Sequence, residues 1–189
     1  MTQEQAIPIR ATRHWVEQVV IGYQLCPFAR IPFQQDTIRY VLASAQDTAG
    51  LKKMFLEECG RLEAHTTEEI STTLLILTEM GKDFMEYWDS VGLAEDWLDQ
   101  AGYTGVFQVA SFHPDYIFAE AETQAAQNYT NRSPWPMLHL LREEELEAAI
   151  DHHPDIEAVP QRNIELMESK GKNHWEGLLQ KIIEQAQRQ

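Results

Sequence analysis

Three polar stretches of this chain carry side chains suited to acid–base or anion-binding chemistry. His113 stands in Ser111-Phe112-His113-Pro114, directly after an apolar run. An imidazole titrates near neutral pH and can take or give a proton there. At the C-terminal end of a strand it would sit where parallel α/β sheets bind ligands. Further on, Asn131-Arg132-Ser133-Pro134 has the composition of a helix start. Ser133 would be the N-cap and Pro134 the first helical residue. Exposed amides at such a terminus, with the Arg132 guanidinium beside them and Asn131 next to it, could hold a carboxylate or phosphate. His139, Arg142 and Glu143 follow at i, i+3 and i+4. On a helix they share one face, which continues into Trp135, Leu146 and Ile150. Polar groups on an apolar stripe must be paired or line a pocket.

Each stretch also has a plainer reading. His113 could be a turn histidine held by Pro114. Ser133 could be an ordinary cap, with Arg132 in solvent. The trio could be a buried ion-pair network. If Met137 to Glu143 is a strand, His139 and Arg142 point to opposite faces and the trio dissolves.

Cys26 extends a Trp15, Val19, Tyr23 stripe by one further step. It could be a nucleophile paired with His113 or His139, or simply a small buried hydrophobe. Near a helix C-terminus the dipole raises a thiol pKa, which argues against an easily formed thiolate. His113, His139 and Glu143 are ligand types that zinc accepts, but no HExxH spacing joins them, and no metal site is assigned. No Walker loop, GxGxxG or GxSxG motif occurs, so the cofactor, if any, stays unknown.

The elements that must position these groups follow from apolar spacing. Helices are expected over about 11–24, 47–62 and 82–100, the last with Phe84, Trp88, Val91, Ala94 and Leu98 on its buried stripe. Strands are expected over 37–43, 72–77 and 105–112. Thr72 to Leu77 is nearly all apolar, as a strand buried on both faces should be. Residues 26–35 read as an irregular apolar loop, and 113–136, with three prolines, as a long one. Residues 137–150 read as a helix, although MLHLLRE alone fits a strand. Two terminal helices follow, near 161–169 and 174–187. Strands alternating with helices give an α/β (or α+β) class. The expected architecture is a small mixed or parallel sheet of three or more strands, with helices packed on it and a helical C-terminus.

A chain of 189 residues with 43% apolar residues can fill one core. One globular domain over 1–189 is expected, with 1–9 flexible. The net charge of −15 repels polyphosphates and makes nucleic acid an unsuitable partner. The absence of a long apolar run excludes a membrane span. Two cysteines, and no apolar leader after Met1, point to the reducing cytoplasm.

LCPFA (25–29), QVASFHP (108–114), NRSPWP (131–136) and HLLRE (139–143) occur in that order. Together they resemble the domain-of-unknown-function family 1415, of bacterial and plastid proteins about this long. The resemblance runs from Trp15 to about Gly171, with the acidic, glutamine-rich stretch Glu120 to Gln127 as its visible departure. It implies that Cys26, His113, Asn131, Arg132, Ser133, His139, Arg142 and Glu143 are the family's hallmark polar positions. It implies no reaction.

Two functional expectations compete. One is an enzyme for a small anionic metabolite, with His113 or His139 as acid–base group, Arg132 and Arg142 holding the charge, and Glu143 orienting a neighbour. That enzyme requires His113, Arg132 and Arg142 to meet. The other is a non-catalytic ligand- or protein-binding module whose 113–136 loop presents Tyr116, Tyr129 and Trp135 to a partner. Oligomeric state is left open.

Overall fold

A computed structural model of the protein describes residues 3–153 and 155–188. The chain opens with helix α1 (Gln3–Trp15), which runs on as a π-helical turn over Val16–Ile21. Residues 3–9, expected to be flexible, are instead its first turns, with Pro8 buried; Met1 and Thr2 lie outside the described residues. A short helix α2 (Arg30–Gln34) interrupts the expected 26–35 loop. Next come strand β1 (Ile38–Ala43), helix α3 (Thr48–Ala64), strand β2 (Thr72–Leu77) and helix α4 (Phe84–Ala101). Strand β3 (Phe107–Phe112) leads into the long loop, which holds a 3-10 turn at Ala126–Thr130. Strand β4 (Met137–Arg142) is followed at once by helix α5 (Glu143–Asp151), and the chain ends in helices α6 (Val159–Lys170) and α7 (Lys172–Arg188).

The four strands form one mixed sheet in the order β1-β2-β4-β3. β1 and β2 are parallel, while β4 runs antiparallel to both β2 and β3. Helices cover both faces. Leu75, Leu77, Leu138 and Leu140 pack under α3 and α4. Leu74, Ile76 and Met137 pack under α1, α6 and α7, with Trp15, Met167, Trp175 and Ile182. β2 is buried at every position, as its unbroken apolar run requires.

Two local outcomes differ from expectation, and both have a physical cause. Residues 137–142 are strand, not helix. Met and Leu favour a helix in isolation, but here β2 and β3 offer hydrogen-bonding partners on both sides, and that context overrides propensity. The helix expected to start at Ser133 does not form. Ser133 and Trp135 each precede a proline, and a residue before proline is pushed out of the helical region. The chain instead bends at Pro134 and Trp135 before entering β4.

The α4 stripe keeps Val91, Ala94 and Leu98 but differs at its start. The buried positions are Tyr87, Ser90, Val91, Ala94, Trp97 and Leu98, while Trp88, expected in the core, is 45% exposed. Asp83 caps the helix by accepting from the amides of Met85 and Glu86, and Gly102 ends it with φ +79°. Among the described residues no helix is long and apolar enough to cross a membrane.

Candidate functional site

The C-terminal end of β3 gathers four of the expected residues, and it turns their polar atoms inward. His113 is fully buried. The Asp115 amide donates to its Nδ1 at 2.9 Å, so the ring proton is on Nε2, which donates to the Gly81 carbonyl at 2.9 Å. Gly81 sits in the left-handed region at φ +66°, in the turn before α4. Burial holds the His113 pKa below its ordinary value. Its ring lies against Tyr87, centroids 4.9 Å apart, and against Phe84 at 5.4 Å. With both nitrogens engaged, His113 has no lone pair to offer a substrate.

The neighbours behave alike. The His113 amide donates to the Asn131 carbonyl, and the Ser133 amide to the His113 carbonyl, which holds the loop against the end of β3. Asn131 Nδ2 donates to the Ser111 carbonyl at 3.1 Å, and Ser133 Oγ to the Trp135 carbonyl at 2.7 Å. Arg132 is 8% exposed. Its Nε and Nη2 donate to the carbonyls of Tyr116 and Thr123, and its guanidinium stacks over Tyr129 at 4.6 Å. These residues bind the loop to itself. Tyr116 and Tyr129, expected as exposed docking aromatics, are buried, and Trp135 is half-buried.

The other four lie apart. His139 and Arg142 point to opposite faces of β4. Arg142, at the far end of that strand, is roughly 17 Å of extended chain from Met137. Its Nη2 donates to the carbonyls of Leu62, His65 and Ile70. Glu143 is the first residue of α5, with Glu144 and Glu145 in the same acidic first turn, which suits the positive end of the helix dipole. Cys26 is a free thiol between the π turn and α2, and it shares no hydrogen bond or ring contact with the other seven. Burial pushes its pKa up, against the pull of the Phe28 and Ala29 amides. The direction matches the sequence argument, but desolvation is the cause. Cys59 is buried, and burial lifts it to about 12. Among the described residues no group of three or more His, Cys, Asp or Glu side chains could hold a metal ion.

His139 is the group with a readable pH signature. Thr72 Oγ1 donates to the Leu140 carbonyl and lies 2.7 Å from His139 Nε2, so that nitrogen carries the ring proton. Burial pushes the pKa down to about 4 from an ordinary 6.5. Between those values the unfolded chain binds a proton that the native protein refuses, so stability falls as pH drops from 6.5 towards 4. The full effect is about 3 kcal/mol, and about 2 kcal/mol of it is lost by pH 5. In His139→Gln, urea unfolding at pH 7.5 and 5.0 should show a pH sensitivity smaller by that amount. Parallel pH profiles for the two proteins would count against a buried neutral imidazole.

Sequence reasoning missed Tyr87 and the surface beside it. The buried Tyr87 hydroxyl donates to the Met137 carbonyl at 2.7 Å and accepts from the Phe112 amide at 2.8 Å, tying α4 to β3 and β4. The next residue, Trp88, faces out. With Gly92 and Asp96 it forms an i, i+4, i+8 wall above Val109 and Ser111 of β3, enclosing a cleft of about 570 Å³. The loop supports this wall: Tyr116 meets Trp88 edge-on at 6.1 Å and Phe84 at 5.4 Å. The only prior signal was the spacing of Gly92 from Trp88, hidden by placing Trp88 in the core.

A Cβ at Gly92 would touch nothing within 4 Å, so the helix interior gives up propensity there without a packing need. Gly92→Ala is expected to stabilise the protein by about 0.5–1 kcal/mol in urea unfolding. A destabilised variant would mean the position is packed.

A family model described as "Protein of unknown function (DUF1415)" matches residues 8–177 of the chain. No curated protein and no solved structure matches.

Proposed function

The chain belongs to this family, whose description assigns no activity, and we propose from the geometry that it is a non-catalytic binding module that docks a protein partner in the α4–β3 cleft. The observation that carries this reading is the exposed Trp88 beside Gly92, propped by the ring of Tyr116. Aromatic anchors beside a recess are the usual energetic centre of an interface. The 113–136 loop takes part as a rigid support rather than as the contact surface.

The catalytic alternative loses its premise. It required His113, Arg132 and Arg142 around one cavity, whereas the first two are saturated by backbone groups and the third serves the end of α3. Photo-crosslinking tests the docking reading. Benzoylphenylalanine at Asp89, on the rim of the cleft, should give discrete adducts in the host cell that disappear when Gly92→Phe fills the cleft. The same probe at Ile31, equally accessible but remote, should not give them. Identical adducts from both positions would overturn the reading.

A further inference from the structure

The cleft has a floor with unused hydrogen-bonding capacity. β3 is an edge strand that pairs only with β4. The Glu143 amide donates to the Val106 carbonyl, which sets the phase of the antiparallel ladder. Gln108 and Ala110 turn their backbone groups towards β4, while Phe107, Val109 and Ser111 turn theirs away. Of the outward groups, the Phe107 amide donates to the Tyr103 carbonyl and the Ser111 carbonyl accepts from Asn131. The Phe107 carbonyl, both groups of Val109 and the Ser111 amide hydrogen-bond to nothing among the described residues. An edge of this kind is a template for another strand.

The wall above it has one sign of charge. α4 carries Glu86, Asp89, Glu95, Asp96 and Asp99 and no lysine or arginine. None of these carboxylates joins an ion pair among the described residues. Asp89, Glu95 and Asp96 border the cleft itself. A second copy of this chain would set the same carboxylates against each other, so self-pairing is disfavoured.

We infer that the cleft captures an extended, lysine- or arginine-rich segment of a partner protein, which adds to β3 as a fifth strand. This rests on the docking reading above and gives it a partner chemistry. Backbone pairing along Phe107 to Ser111 supplies the register. One alternate side chain enters the recess between Trp88 and Val109, where Gly92 leaves room. Lysine or arginine side chains two residues to either side, on the same face of the added strand, lie against Asp89, Glu95 and Asp96. The free edge favours an extended occupant over a helical one, because a helix has no spare backbone groups to offer.

The test uses the full chain and labelled nine-residue peptides, read by fluorescence anisotropy. The first carries valine at its centre and lysine at each second position to either side, with threonine between, so that valine and the lysines share one face. The second replaces lysine by glutamate, and the third N-methylates two adjacent central residues, which removes backbone donors but keeps the charge. The first is expected to bind at least tenfold tighter than either control, to weaken on adding salt, and to lose at least tenfold on Gly92→Phe. Its binding should slow amide exchange at Val109 and Ser111 and leave Gln108 and Ala110 unchanged. Equal binding of the N-methylated peptide would reduce the interaction to charge alone and overturn strand addition. Dimerisation through β3, seen by sedimentation at rising concentration, would overturn it as well. Should none of the peptides bind while the Asp89 crosslinks persist, this partner chemistry falls and the docking face stands; losing both removes both.

Discussion

Arg142→Met is expected to lower the unfolding free energy by about 3 kcal/mol while keeping most of the aliphatic packing. One guanidinium nitrogen donates to three carbonyls at the end of α3 and just beyond, at 2.6, 2.8 and 3.1 Å. α3 has no glycine in its last turn to fold back and satisfy those groups; its C-cap is His65, in extended conformation. Arg142 does this work from a neighbouring strand. A hydrogen bond from a charged donor contributes about 1.5–3 kcal/mol, and orphaned carbonyls add their desolvation cost. For a chain of this length the loss corresponds to a melting temperature lower by roughly 6–12 °C. Urea unfolding of the two proteins measures it. A loss below about 1 kcal/mol would show that water replaces the guanidinium and that the arginine is free for another task.

The second large effect belongs to His113. His113→Ala should cost about 4 kcal/mol, because it removes a fully buried ring from the Phe84 and Tyr87 contacts and also strands the Gly81 carbonyl and the Asp115 amide. His113→Phe restores ring volume but neither hydrogen bond and should cost about 2 kcal/mol. The gap between the two variants separates packing from hydrogen bonding. Hydrogen exchange should rise across residues 113–136 in both, since His113 also anchors Asn131 and Ser133 through its backbone. A histidine kept for proton transfer would behave differently: its alanine variant would stay about as stable as the parent, and that outcome would revive a catalytic reading.

How much of this was legible in the sequence depended on where the hydrogen-bond partners came from. β2 could be read directly, because six consecutive buried positions need an apolar run. α3 and α4 could be read from their spacing and caps. β4 could not be decided, because MLHLLR alone fits a helix or a strand, and the flanking by β2 and β3 that settles it is not a local property. The trio depended on that choice: a helix would have placed His139, Arg142 and Glu143 together, and a strand separates them. Buried loop backbone needs partners, and polar side chains of the loop provide them internally: His113 by accepting from the Asp115 amide, Arg132 by donating to the Tyr116 and Thr123 carbonyls, and Asn128 by accepting from the Phe118 amide and donating to the Glu122 carbonyl. The Trp-Pro pair at 135–136 was the overlooked local signal, since a residue before proline resists the helical conformation. Trp88 was misplaced for a simpler reason: Tyr87 and Trp88 are adjacent aromatics, and spacing alone did not say which one faces the sheet.

The position of β4 has a consequence for how the molecule is made. It is the last strand to leave the ribosome, yet it occupies an interior lane between β2 and β3. A nascent chain that has emerged only as far as Phe112 holds three strands, and β3 has no neighbour to zip against. The apolar flanks of β2 and β3 must wait, unjoined, until translation has passed Arg142. Assembly is therefore gated by the final third of the polypeptide, and the earlier two-thirds should need shelter from aggregation in the interval.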